Sequence, residues 1–119
     1  MMAFHAEMTK WKEKGLNRPF IFSEYGADTD GSLHKFPSVM WSQEFQNEYL
    51  NMTHQVFDAY DYVKGEQVWN FADFQTTEGT MRLDGNKKGI FTRQRQPKES
   101  AYYFKKRWWS LPTDYKSVK

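Results

Sequence analysis

The sequence predicts an α/β fold in which helices alternate with parallel strands, and three features carry that prediction. A run of apolar residues, Pro19-Phe20-Ile21-Phe22, passes without polar alternation into Ser23-Glu24-Tyr25-Gly26; a run of this kind closed by glycine suits a parallel strand covered on both faces. A second run, Tyr62 to Phe74, gathers Val68, Trp69 and Phe71 between Gly65 and the acidic end at Asp73. Amphipathic helical patterns precede, separate and follow the two runs, giving the order helix, strand, helix, strand, helix. Glu24 then stands at the C-terminal tip of the first strand. In barrels of parallel strands and helices the loops leaving that tip build the active site. On the strand alone a carboxylate reaching solvent is the simpler reading, and the rest of the chain decides against it.

The first helix is expected over residues 2 to 14. Phe4, Met8 and Trp11 recur at helical spacing, Lys10, Lys12 and Lys14 fall towards its end, and Gly15 follows as a C-cap. After the strand at 19 to 24, residues 27 to 38 are rich in turn formers and carry no period, so they read as a long loop of the kind that is usually functional. His34 lies in it as a packing residue. The second helix opens at Ser42, with Glu44 complementing its dipole, and Phe45, Tyr49, Met52, Val56 and Tyr60 give it one apolar face. These rings read as core. His54 falls off that face and reads as a hydrogen-bonding partner for a neighbouring segment.

Trp69, near the tip of the second strand, offers either a flat wall for a sugar ring or a plug for the barrel end. Gln75 to Thr92 is a stretch of 18 residues with three glycines and weak periodicity, a length that needs a function inside a compact fold. Between residues 82 and 98 it and its continuation hold Arg82, Lys87, Lys88, Arg93, Arg95 and Lys98 against Asp84 alone, a local excess of +5. The last helix is expected to begin at Pro97, a favoured first helical position, with Ala101, Phe104 and Trp108 on one face and Lys105 to Arg107 near its end. Residues 110 to 119 read as a frayed tail after a segment 1 to 109.

Composition narrows the function classes. The 119 residues include five Trp, seven Tyr and ten Phe but no Cys, so rings supply most of the apolar surface while disulfides and thiolate metal sites are excluded. Lack of cysteine is compatible with a reducing cytoplasm, the location expected here. Without an apolar run near the length of a membrane span, membrane insertion is not expected. With no paired histidines at ligand spacing, neither a metal nor any other cofactor is expected. A net charge of +2, with the excess confined to one loop and no recognised module present, argues against nucleic acid as a partner.

Three motifs, in this order and spacing, resemble the β-glucuronidases of glycoside hydrolase family 2: Ser23-Glu24-Tyr25-Gly26, Gly65-Glu66-Gln67-Val68-Trp69-Asn70-Phe71-Ala72-Asp73-Phe74, and Gly85-Asn86-Lys87-Lys88-Gly89-Ile90-Phe91-Thr92-Arg93. The likeness runs from about residue 10 to Trp108. It implies the C-terminal portion of a (β/α)8 TIM barrel, about strands 7 and 8 with flanking helices; a whole barrel takes roughly 250 residues. It further implies that Glu24 is the catalytic nucleophile, that Trp69 closes the sugar subsite, that Asn86 and Lys88 grip the carboxylate of glucuronic acid, and that Arg82 lies near the same pocket. A cis Trp69-Asn70 peptide bond belongs to the same resemblance.

In such retaining enzymes a second carboxyl group works about 5 to 5.5 Å from the nucleophile as acid and then base. The family places it in an Asn-Glu-Pro segment that does not occur here, so the chain is expected to be a piece that does not complete the reaction alone. Its expected partners are a β-glucuronide substrate and either other copies of itself or the rest of the enzyme. A glycosidase for another acidic sugar such as a galacturonide, and a non-catalytic carbohydrate-binding fragment, are the alternatives.

Overall fold

The computed structural model describes residues 1–15 and 18–116. Five elements follow in the expected order: α1 (Met2–Glu13), β1 (Phe20–Tyr25), α2 (Gln43–Asp58), β2 (Val63–Val68) and α3 (Glu99–Ser110). The strands pair parallel, as expected, with Phe20 opposite Val63, Phe22 opposite Glu66 and Tyr25 opposite Val68. The tips of both strands therefore point the same way, and the loops leaving them meet at one end.

Helix α1 lays Phe4 edge-on against Phe22, with ring centroids 5.6 Å apart, and Trp11 against Phe20 at 5.9 Å. Met8 is fully buried on the same face. Gly15 takes φ 65° directly after Lys14, the left-handed conformation that closes a helix at low cost only in glycine. Behind the sheet Phe57 of α2 stacks on Phe22 at 4.2 Å and meets Tyr25 edge-on at 5.1 Å. Phe57 is 1 % exposed; truncating such a ring to alanine costs about 3–5 kcal/mol.

Ser42 caps α2 as the sequence indicates, its side chain accepting from the Phe45 N–H. The buried face of the helix is not the aromatic stripe, however. The residues turned inward are Gln43, Gln46, Leu50, Thr53, His54, Val56 and Phe57, whereas Phe45, Tyr49, Met52 and Tyr60 are half-buried flanks. The reason is hydrogen bonding. Gln43 donates to the Gly31 carbonyl at 2.7 Å, and Gln46 donates to the carbonyls of Ala27 and Gly89 at 3.2 and 3.3 Å. Amide side chains hold the loops at the strand tips, so part of the inward face is polar and a hydrophobic period misplaces it. His54 does bond neighbouring segments, as expected.

Strand β2 stops at Val68, short of the expected Phe74. Beyond it the chain pairs with the returning segment 86 to 91: Asn70 N–H donates to Lys88 O, Ile90 N–H to Asn70 O and Phe91 N–H to Phe71 O, at 3.0–3.1 Å. The expected long loop is accordingly anchored at both ends. Helix α3 starts at Glu99 and not at Pro97, because Lys98 is extended and spends its N–H on Ile90 O at 3.1 Å. Arg107 of α3 fastens the opposite end of the molecule, bonding both oxygens of Asp58 and both of Glu66 at 2.8–3.0 Å. Past α3 the tail folds back, with Tyr115 bonded to Asp58 and Lys116 to the Phe57 carbonyl; its last three residues lie outside the described residues. Among the described residues no helix is long and apolar enough to cross a membrane.

Candidate functional site

A cleft of about 500 Å³ opens at the strand tips and is lined by Glu24, Tyr25, Gly26, Tyr49, Trp69, Phe74, Thr76, Arg82, Asn86 and Lys88. All five side chains singled out in the sequence, Glu24, Trp69, Arg82, Asn86 and Lys88, are in that set. They come from four separate stretches of chain.

Glu24 is brought there by an irregularity at the end of β1. Strand pairing shifts register between Phe22 and Tyr25, which breaks the two-residue alternation, so Tyr25 follows Phe22 into the core against Phe57, 8 % exposed, while Glu24 lines the open cleft. Behind it the Tyr25 hydroxyl meets His54 Nε2 at 2.7 Å, and His54 Nδ1 meets the Tyr103 hydroxyl at 2.7 Å. This line of three rings, Tyr25 and His54 buried and Tyr103 half-buried, ties the end of β1 to α2 and α3. Burial pushes the His54 pKa down to about 4 and raises that of Tyr25, so the imidazole is neutral at pH 7.

Gly26 follows because nothing larger fits: a Cβ there would collide with the Trp69 carbonyl. Trp69 N–H donates to Tyr25 O at 2.8 Å, which fixes the indole next to the tip of β1. The Trp69-Asn70 peptide bond is cis, as the resemblance implies. The Trp69 ring, 40 % exposed, presents a wall to the cleft with Phe74 packed edge-on at 6.1 Å.

The cationic side is built on the turn at Gly85, whose φ of 96° is open to glycine. Asn86 is buried, and its Oδ1 accepts the Lys88 N–H at 3.0 Å. That bond orients the amide, so its NH2 group, without a partner among the described residues, is the donor left for the cleft. Lys88 Nζ lies 3.4 Å from Asp28 Oδ2, and Arg82 NH1 lies 3.7 Å from Asp28 Oδ1. Asp28 also accepts the Lys87 N–H at 3.2 Å. One carboxylate thus serves two cations. Asp28 escaped the sequence reading because it is one of several acidic turn formers in its loop, and Gln46 escaped because a helical glutamine reads as surface.

His34 is placed by the first turns of two helices, 2.9 Å from Glu44 Oε1 and 3.7 Å from Glu99 Oε1. Its hydrogen bond to Glu44 raises its pKa. It pins the loop, in keeping with a packing role, and is not among the residues lining the cleft.

The arrangement sets a carboxylate, a flat apolar wall and a group of N–H donors with positive charge around one opening. Among the residues lining it, Glu24 is the only carboxylate. Such a site suits a ring compound that carries an anionic substituent.

Comparison with known proteins agrees in every respect that bears on fold. A family described as glycosyl hydrolases family 2, TIM barrel domain, matches residues 1–113. The chain is 50 % identical over 102 residues to a beta-glucuronidase of Paenibacillus borealis, covering 86 % of this chain and 17 % of that protein. It is likewise 50 % identical over 99 residues to the beta-glucuronidase of Felis catus, covering 82 % and 15 %. Among solved structures, Lactobacillus rhamnosus beta-glucuronidase superposes with a TM-score of 0.94 at 58 % identity, covering 98 % of this chain and 20 % of the other. Ruminococcus gnavus beta-glucuronidase in complex with uronic isofagomine gives 0.90 at 60 %, covering 92 % and 18 %. The chain thus spans a fifth or less of the length of these relatives. By the family match across nearly its whole length, and with two adjacent parallel strands and flanking helices as its share of the barrel, the chain belongs to the TIM barrel domains of the glycosyl hydrolases of family 2.

Proposed function

We propose that this chain supplies the nucleophile and the sugar-carboxylate recognition loop of a retaining β-glucuronidase. The observation that carries the reading is that Glu24, Trp69, Arg82, Asn86 and Lys88 line one cleft, with the carboxylate on one strand tip and the donors on the loop after the other. In the proposed reaction Glu24 attacks the anomeric carbon, the aglycone oxygen leaves with a proton from a second carboxyl group, and water then releases the sugar with retention. Trp69 holds the sugar ring. The Asn86 NH2 group, Lys88 and Arg82 bind the glucuronate carboxylate, and a neutral sugar in its place offers the two cations no charge beyond that of Asp28. The beta-glucuronidase names of the relatives and the bound uronic isofagomine of one neighbour support this substrate class.

No second carboxyl group is among the residues lining the cleft, so in this reading the segment 1 to 109 acts together with further barrel strands and does not turn over substrate by itself. General acid catalysis contributes about 10² to 10⁴ in rate. The test is specificity. In the intact enzyme Lys88→Ala is expected to cost about 2 to 4 kcal/mol in kcat/KM on an aryl β-glucuronide, the span for removing one partner of a desolvated charge pair, and to leave a neutral aryl glycoside nearly unchanged. Equal losses on both substrates overturn the assignment of the loop.

A further inference from the structure

Lys98 is a wholly buried cation outside the cleft, with 0 % exposure. Its Nζ donates to Thr29 O at 2.8 Å, to Asp73 Oδ1 at 2.9 Å and to Lys87 O at 2.9 Å. An ammonium has three N–H donors, so each is used, and each goes to a different segment: the loop after β1, the segment after β2, and the turn that carries Asn86 and Lys88. Asp73, 6 % exposed, uses the same Oδ1 to accept the Gly89 N–H at 2.9 Å. Lys87 O accepts a second bond from the Thr29 N–H at 2.9 Å. Asp28, the neighbour of Thr29, bonds the Lys87 N–H and faces Lys88. The Lys98–Asp73 pair is therefore fastened to both sides of the ion pair that borders the cleft. Burial opposes charge on both partners, lowering the pKa of Lys98 and raising that of Asp73, and replacing a buried ion pair by apolar groups is often neutral or stabilising. Retaining the pair here is explained by the three segments it fixes.

We propose that Lys98 and Asp73 are positioning residues for substrate selection, setting the Asn86–Lys88 turn against Asp28 so that its donors converge on an anionic substituent of the substrate. This rests on the glucuronidase reading for the identity of that substituent, whereas the fastening itself does not.

Two measurements separate them. Amide hydrogen exchange on the full chain, with Lys98→Met against the parent, reads the fastening alone. The account expects the amides of Thr29, Lys87 and Gly89 to exchange roughly tenfold faster or more, with the centre of α2 unchanged; an acceleration spread evenly over the chain, or none, overturns the proposal. Kinetics of the intact enzyme read the consequence. A displacement of about 1 Å costs on the order of 10²-fold, so kcat/KM on an aryl glucuronide is expected to fall about that much. The loss on a neutral aryl glycoside should be less than about threefold, which collapses the ratio of the two. A common fall on both substrates shows structural support only and overturns the proposal. A parent enzyme that already prefers neutral glycosides, with the local exchange effect intact, counts against the glucuronidase reading while the fastening stands. If Lys98→Met does not fold, Lys98→Met/Asp73→Asn leaves no buried charge and is subject to the same two readings.

Discussion

Lys88 of the loop after β2 faces Asp28 of the loop after β1 across 3.4 Å, and Arg82 reaches the other oxygen of the same carboxylate at 3.7 Å. The cations of the cleft thus already have a carboxylate beside them, one fixed to the chain and standing behind the cleft lining. A substrate carboxylate entering there shares the cations with Asp28 or displaces it. Asp28→Asn keeps an acceptor for the Lys87 N–H and removes the competing charge. Binding of glucuronate to the intact enzyme is expected to tighten by on the order of 1 kcal/mol, the scale of a partly exposed charge pair. Competitive inhibition measured against both enzymes checks this, and weaker binding in the variant contradicts it.

The two well-placed histidines pull stability in opposite directions with pH. His54 is buried neutral with its pKa down at about 4, so in the window from 6.5 down to 4 the unfolded chain takes a proton that the folded chain refuses. Its contribution is present above pH 6.5, is lost as pH falls through that window, and is on the order of 3 kcal/mol. His34, raised by its bond to Glu44, does the reverse: its contribution is present at low pH and is lost as pH rises through its folded pKa. Thermal midpoints followed from pH 7.5 to pH 4 should fall less steeply in His54→Gln, which can still bond Tyr25 and Tyr103. An unchanged slope contradicts the assignment.

Association of the chain follows from its surface. Among the described residues each strand has one edge without a partner strand, and Phe71 and Trp109 are 61 % and 85 % exposed beside an apolar groove of about 440 Å³ that Val68, Ile90 and Phe104 also line. Open strand edges and apolar patches invite contact with further chain. Sedimentation at micromolar concentration is expected to show self-association. A sharp monomer that unfolds cooperatively contradicts this.

How much of this was legible in the sequence depends on which force places each residue. The position of Glu24 at a strand tip was legible because an apolar strand ending in a carboxylate and a glycine has a local pattern, whereas its role came from the resemblance alone; Gly26 is demanded by the approach of the Trp69 carbonyl. The strand tips and the cationic loop were legible for the same reason. The buried face of α2 was not, since Gln43, Gln46 and His54 are turned inward by partners far along the chain. Pro97 suggested a helix start that the backbone bond from Lys98 to Ile90 delays. Lys98 itself counted only as one charge of a basic run, although its ammonium is wholly buried; no composition or period separates a solvated lysine from a fastened one. Asp28 was hidden in the same way, because its role is defined by two cations more than fifty residues away.

Glu24 as the nucleophile is tested by replacing it and supplying an outside nucleophile. In the intact enzyme Glu24→Ala is expected to lose turnover of an aryl β-glucuronide. Added azide should then restore part of it, by attacking from the face that the missing carboxylate vacates, to give the glucuronosyl azide of inverted, α configuration, identified by the anomeric coupling in proton NMR. Turnover near that of the parent in Glu24→Ala, or an azide product of β configuration, would contradict the account.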